Sequence, residues 1–119
     1  METYERTLRR LAIGDDAYTD SVTSCQEANR TASGLDCKTH ALVRLASLIA
    51  SDAAAPSYLG TIDAARASGA SDDEIVGCLL AVMPALGAAR VVSAAPKLGL
   101  ALGYDVTAAL EDAGVPPPA

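Results

Sequence analysis

The stretch LDCKTHALVRLASLIASDAAAPSYLGTIDAARASGASDDEIV, residues 35–76, decides the fold of this chain. Leucine, isoleucine and alanine recur over residues 36–52 at helical spacing, and only a narrow strip of polar side chains interrupts them. Pro56 then suits the first turn of a further helix over 56–68, which Gly69 ends. Two consecutive helices with strongly apolar faces are therefore predicted at the centre of the chain.

A capping box follows directly. Ser71 and Glu74 have the spacing at which the serine side chain accepts from the glutamate amide and the glutamate side chain reaches back. This pattern predicts a helix over 72–83, with a break or kink at Pro84 and Gly87. Because this helix is apolar nearly all round, we expect it at the centre of a domain or at an interface.

Outside this stretch the pattern stays helical and shows no sustained alternation of period two. The further helices are predicted over 3–13, 16–31, 88–103 and 105–112. The chain is thus expected to be all-α, with six or seven helices in one domain over 1–113. Residues 114–119, GVPPPA, cannot continue the last helix and are expected to form a flexible tail.

The composition of the chain limits the classes of partner that it is expected to bind. Of 119 residues half are apolar but only 3% are aromatic, so the core must be built from small aliphatic side chains. A short chain of this kind buries a modest fraction of its surface, which favours association with further copies. The net charge of −6 and the lack of a basic cluster argue against nucleic acid as a partner.

The sequence also predicts a cytoplasmic protein. It has no apolar run long enough to cross a membrane, and METYERTLRR lacks the apolar segment of a signal peptide. Its cysteines, Cys25, Cys37 and Cys78, form no metal-binding pattern and are expected to be reduced thiols. No metal and no cofactor are expected.

Residues 35–103 resemble the carboxymuconolactone decarboxylase and AhpD-like superfamily. The similarity rests on LDCKTHALVRLASLIA, on the A-x-x-x-G-A-S-x-x-E-I pattern of residues 65–75, and on a later helix rich in alanine, glycine and valine. The resemblance implies an all-α orthogonal bundle that forms a homo-oligomer, a trimer or a hexamer.

The peroxidase members of that superfamily carry a C-x-x-C-x-x-x-H motif, which this chain lacks. The two cysteine positions fall on Ala54 and Ser57, and the histidine position falls on Thr61. The acidic relay position falls near Ala41 or Leu42. AhpD-like peroxidase chemistry is therefore disfavoured. The decarboxylase members need no thiol pair, although they too tend to have a histidine at the position of Thr61.

His40 is the only histidine, and hence the only side chain whose ordinary pKa suits proton exchange near neutral pH. It shares a helical strip with Arg44. His40 is either a catalytic acid/base at a subunit-interface pocket or a partly exposed first-turn residue bonded to a carboxylate.

Four other residues are candidates for substrate binding: Arg44, Arg90, Glu27 and Cys25. Either arginine could bind a carboxylate, or could form an ion pair or lie across the core with its head in water. Glu27 or Cys25 could join His40 across a pair of helices, or could be an ordinary surface residue.

Two functions remain open on this sequence. The first is a cofactor-free lyase that acts on a small lactone or oxo acid bearing a carboxylate, with His40 moving the proton and an arginine holding the anion. The second is a non-catalytic module for binding or assembly, whose apolar helices serve oligomerisation. The lyase implies a small anionic ligand. An enzyme needs His40 and an arginine around one cavity, so their convergence would distinguish the lyase from the non-catalytic module.

Overall fold

The computed structural model describes residues 3–114. Within this range the chain is all-α, as predicted, and contains no strand, but it has eight helices rather than six or seven. The helices are α1 (Tyr4–Ala12), α2 (Asp16–Thr23), α3 (Gln26–Ser33), α4 (Cys37–Ala50), α5 (Ala55–Ala67), α6 (Asp72–Leu86), α7 (Ala88–Leu102) and α8 (Val106–Asp112).

The extra helix arises because the single helix expected over 16–31 is wrong. The chain breaks at Ser24 and Cys25, where Cys25 has extended backbone with φ −156° and ψ 164°. Cys25 instead caps α3, since its Sγ accepts from the amide of Ala28 at 3.4 Å. The Ser24 hydroxyl donates to a backbone carbonyl just before the break. Short polar side chains that bond the backbone locally compete with helix propagation.

The capping box at the start of α6 is confirmed. Ser71 Oγ accepts from the amide of Glu74 at 3.0 Å, and Glu74 Oε1 accepts from the amide of Ser71 at 3.0 Å. Of the break or kink expected at Pro84 and Gly87, the break at Gly87 is confirmed, whereas α6 continues through Pro84 to Leu86. The φ of +87° at Gly87 favours glycine.

The chain divides into two compact units, Met1–His40 and Ala41–Ala119. The first unit contains α1, α2, α3 and the first turn of α4, and none of its three short helices has a buried residue. The single domain over 1–113 stays a prediction. Of the predicted tail, residues 115–119 lie outside the described residues.

The second unit holds the aliphatic core. It is built from α4, α5, α6 and α7, and its largest fully buried side chains are Tyr58, Leu45, Ile49, Ile62, Ile75 and Leu98. Only one face of α6 is buried, through Ile75 and Leu79, while Val76 and Leu80 are exposed. In this chain α6 is thus a surface helix with an exposed apolar stripe. Among the helices described here, none has the length and apolar character needed to cross a membrane.

Candidate functional site

An open groove of about 1320 Å³ lies within the first unit, between α1, α2 and α3. Its apolar walls come from Tyr4, Leu8 and Leu11 of α1 and from Tyr18 and Val22 of α2. The spacing of Tyr4, Leu8 and Leu11 places their side chains on one face of α1. All the lining residues belong to the first unit.

Two of the predicted site residues line this groove. Cys25 does so as the cap of α3, and Glu27 lies in the first turn of the same helix. Asn29, which sequence reasoning missed, lines it as well. No sequence signal singled out Asn29, because an asparagine inside a short polar helix has many possible roles.

Asn29 connects the groove to His40. The Nδ2 group of Asn29 donates to the carbonyl of Val22 at 2.8 Å, which fixes the orientation of the amide. Its Oδ1 therefore accepts, and lies 2.8 Å from Nε2 of His40. This geometry assigns the proton to Nε2 of the imidazole.

His40 is consequently a buried side chain that is hydrogen-bonded to Asn29 of α3. It does not belong to an exposed polar strip. It is only 6% exposed, and its Nε2–H is engaged by Asn29. The Asn29 amide accepts this hydrogen bond but carries no charge. Since a buried polar group needs a partner, the hydrogen bond to Asn29 satisfies Nε2 of the histidine.

The predicted anion-binding residues Arg44 and Arg90 belong to the second unit. Arg44 lies on α4, and its Nη1 is buried without a hydrogen bond to any residue that the structure describes. A buried guanidinium nitrogen without an acceptor is costly, since charged donors lose strong hydration. Arg44 therefore has an unused donor that suits a carboxylate oxygen.

Arg90 faces a carboxylate of the chain itself. Its Nη1 lies 3.6 Å from Oδ2 of Asp52, in a cluster that joins the end of α4 to α7. Oδ1 of Asp52 accepts from Ser93 Oγ at 2.9 Å and from Lys97 Nζ at 3.2 Å. Residues 90, 93 and 97 lie on one face of α7 because they are spaced by three and four. The geometry favours an ion pair for Arg90 over a substrate contact.

Asp52 has an unusual backbone conformation. Its φ of +54° makes it the only non-glycine residue with positive φ among residues 3–114. Aspartate tolerates this region better than most residues, which explains its place in the tight turn after α4. The hydrogen bonds from Ser93 and then Lys97 lower the pKa of the Asp52 carboxyl, so it stays ionised. This surface cluster pins the turn to α7.

Two further polar residues lie in the core of the second unit. Thr61 is only 4% exposed. The superfamily that this chain resembles tends to have a histidine at this position. Tyr58 is fully buried, and its hydroxyl makes no hydrogen bond to a described residue. Tyr58 is therefore part of the core.

The three cysteines do not pair with one another. Cys25, Cys37 and Cys78 are all unpaired thiols. Burial raises the pKa of the Cys78 thiol, which keeps it protonated and unreactive. Within the described range of 3–114, no three His, Cys, Asp or Glu side chains cluster in a way that could hold a metal ion.

In the first unit, Cys25 and Glu27 line one groove. His40 is hydrogen-bonded to Asn29, which lines the same groove. In the second unit, Arg44 lies on α4 and Arg90 faces Asp52. Comparisons of the chain with family models, with curated proteins and with solved structures found no match.

Proposed function

We propose that the protein is a non-catalytic binding and assembly module that forms a homo-oligomer. The observation that carries this proposal is the apolar surface of the second unit. Val76 and Leu80 are four residues apart on α6, and Val92 and Leu100 are eight apart on α7, so each pair shares a helix face. Leu80 is 67% exposed and Leu100 is 58% exposed.

Repeated exposure along a helix face distinguishes these side chains from single exposed leucines, which are ordinary on protein surfaces. Contiguous exposed apolar side chains are typical of interaction sites. A second copy of the chain is the partner of choice because a domain of 12.1 kDa gains much of its buried surface by association. The resemblance to a superfamily of homo-oligomers, with trimers or hexamers, agrees with this proposal.

The state of His40 also supports a non-catalytic role. The one side chain whose ordinary pKa suits proton exchange near pH 7 is buried and hydrogen-bonded to Asn29. A general base needs its lone pair within reach of the substrate proton. Nε2 of His40 carries the proton that Asn29 accepts, so the lone pair lies on Nδ1 of a side chain that is only 6% exposed.

Leu80→Glu tests the proposal. If α6 contributes to the subunit interface, placing a charge there should weaken association at least about tenfold, since each buried leucine contributes roughly 1.5–3 kcal/mol. Sedimentation equilibrium over a range of concentrations measures the effect. Ala85→Glu is the matched control, because Ala85 is exposed on the opposite side of α6 from Val76. A parent chain with the mass of a 12.1 kDa monomer at every concentration would contradict self-assembly.

A second candidate function is the cofactor-free, decarboxylase-like lyase, which the unpartnered Nη1 of Arg44 favours. Its substrate would be a small lactone or oxo acid whose carboxylate accepts from this guanidinium. Such a carboxylate should raise the thermal midpoint of the parent chain but leave that of Arg44→Gln unchanged. Arg90→Gln is the control, since Arg90 already faces Asp52. An equal response of parent and Arg44→Gln would remove this candidate.

The proposed setting is the cytoplasm. All three cysteines are unpaired, and free thiols persist most readily in a reducing compartment.

A further inference from the structure

We propose that the groove of the first unit, formed by α1, α2 and α3, docks helix α1 of a second copy in a two-fold arrangement. The inference rests on the proposed self-assembly and adds a second interface to the one proposed on α6 and α7. In a two-fold interface the same patch of each copy contacts the same patch of the other. Helix α1 of each copy would therefore be both a wall of its own groove and the occupant of the other.

The size of the groove suits a helix. Its volume of about 1320 Å³ exceeds the roughly 300–1,000 Å³ of small-molecule pockets. A nine-residue helix such as α1 is about 13.5 Å long and about 10 Å wide, and so occupies roughly 1,000 Å³. An open trough of this size matches two to three turns of helix better than a metabolite.

The apolar side chains of α1 need such a cover. Tyr4 is 74% exposed, Leu8 is 59% exposed and Leu11 is 55% exposed, and all three point along the same face. Because none of α1, α2 and α3 buries a residue, this unit leaves its own apolar face uncovered. Amphipathic helices bind grooves through side chains at this spacing.

Charge identifies the second copy as the occupant. The charged residues that line the groove are one cation, Arg10 on α1, and one anion, Glu27 on α3. Arg10 lies 5.0 Å from the ring centre of Tyr18 and so has its guanidinium at the groove wall. In a two-fold complex, Arg10 of each copy meets Glu27 of the other. The groove is thus complementary in charge to itself.

A charge-swap mixture tests this arrangement. Arg10→Glu alone and Glu27→Arg alone each place two pairs of like charges across a two-fold interface, and each should weaken self-association about tenfold. Mixing the two variants restores both opposite pairs. The mixture should therefore associate with about the affinity of the parent chain, as measured by sedimentation velocity with one variant labelled.

Arg9→Glu is the matched control for this experiment. It changes the charge by the same amount as Arg10→Glu, but Arg9 does not line the groove and should leave association unchanged. If the mixture associates no better than either variant alone, the two-fold pairing is wrong.

A separate variant tests the apolar contact that α1 is proposed to make with the second copy. Leu8→Glu should weaken association about 100-fold, because a two-fold interface loses the side chain twice. Ile13→Glu is the control, since Ile13 is 78% exposed but lies outside this groove. Circular dichroism confirms that each variant keeps the helix content of the parent.

The outcomes separate the two proposals. A monomeric parent chain contradicts self-assembly and this inference together. An oligomeric parent that Leu80→Glu weakens, but that Leu8→Glu and the charge swaps leave intact, overturns only the groove as an interface. Binding of the parent to anionic lipid vesicles that Leu8→Glu abolishes, with self-association unchanged, also overturns it and assigns the groove to a membrane surface.

Discussion

Tyr58→Phe is expected to make the protein more stable, by about 1–3 kcal/mol in the free energy of unfolding. The Tyr58 side chain is fully buried, and its hydroxyl has no hydrogen-bond partner among the described residues. Burying an unsatisfied hydroxyl costs about 1–3 kcal/mol, and phenylalanine removes that cost while it keeps the ring. Urea unfolding followed by circular dichroism measures the difference.

Tyr58→Ala is the opposing control. Removing a buried aromatic ring leaves a cavity and should cost about 3–5 kcal/mol. Tyr58 is the single buried aromatic residue in the described part of this aromatic-poor core, so no neighbouring ring can fill the space. A Phe variant that is less stable than the parent would show that the hydroxyl has a partner, and would contradict the prediction.

The loss of stability at high pH gives a second measurement of the effect of the Tyr58 hydroxyl. Burial, and then the negative charge of Asp52, raises the pKa of Tyr58 above its ordinary value of about 10. The unfolded chain therefore loses this proton first as the pH rises. The contribution of Tyr58 is fully present below pH 10 and is lost as the pH rises through the folded-state pKa. The Tyr58→Phe variant should lack this part of the alkaline loss.

Gly99→Ala is expected to destabilise the protein. A Cβ at this position of α7 would lie 2.8 Å from Cγ2 of Val106 and 3.0 Å from the carbonyl oxygen of Tyr104. The Tyr104 oxygen belongs to the backbone, so α7 and the start of α8 would have to move apart. Overpacking of this kind costs about 1–3 kcal/mol, which the better helix propensity of alanine offsets by at most about 1 kcal/mol.

Gly77→Ala measures the effect of the higher helix propensity of alanine without overpacking. Gly77 lies inside α6, and a Cβ there would meet nothing within 4 Å outside its own helix. Alanine should therefore stabilise this variant by about 0.5–1 kcal/mol. Thermal unfolding of both variants checks the opposite signs. A Gly99→Ala variant as stable as Gly77→Ala would mean that α8 is not held against α7.

Local patterns predicted most of the helices of this protein. The capping box at Ser71 and Glu74 is satisfied by the two hydrogen bonds that its spacing implies, because all its atoms lie within one turn. The break at Cys25 was missed, since an isolated Cys is a weak signal beside the helical pattern of residues 16–31. The break expected at Gly87 is present, but α6 continues through Pro84, which lies near its C-terminal end.

The candidate site was less accessible from the sequence. The groove needs three short helices to meet, and no single segment records the angles between them. Asn29 became relevant only because folding brings its Oδ1 to His40, eleven residues further along the chain. Asp52 likewise acquires its role from Ser93 and Lys97, which lie some forty residues away in sequence.

The sequence by itself determined the helical class and the aliphatic character of the core, because helix periodicity, caps and composition act over a few residues. Tertiary structure decided which apolar faces are buried. Ile75 and Val76 are neighbours with nearly the same hydrophobicity, yet Ile75 is buried and Val76 is 41% exposed. Burial depends on which side of α6 meets α5 and α7, and this is a property of the packed helices rather than of either residue.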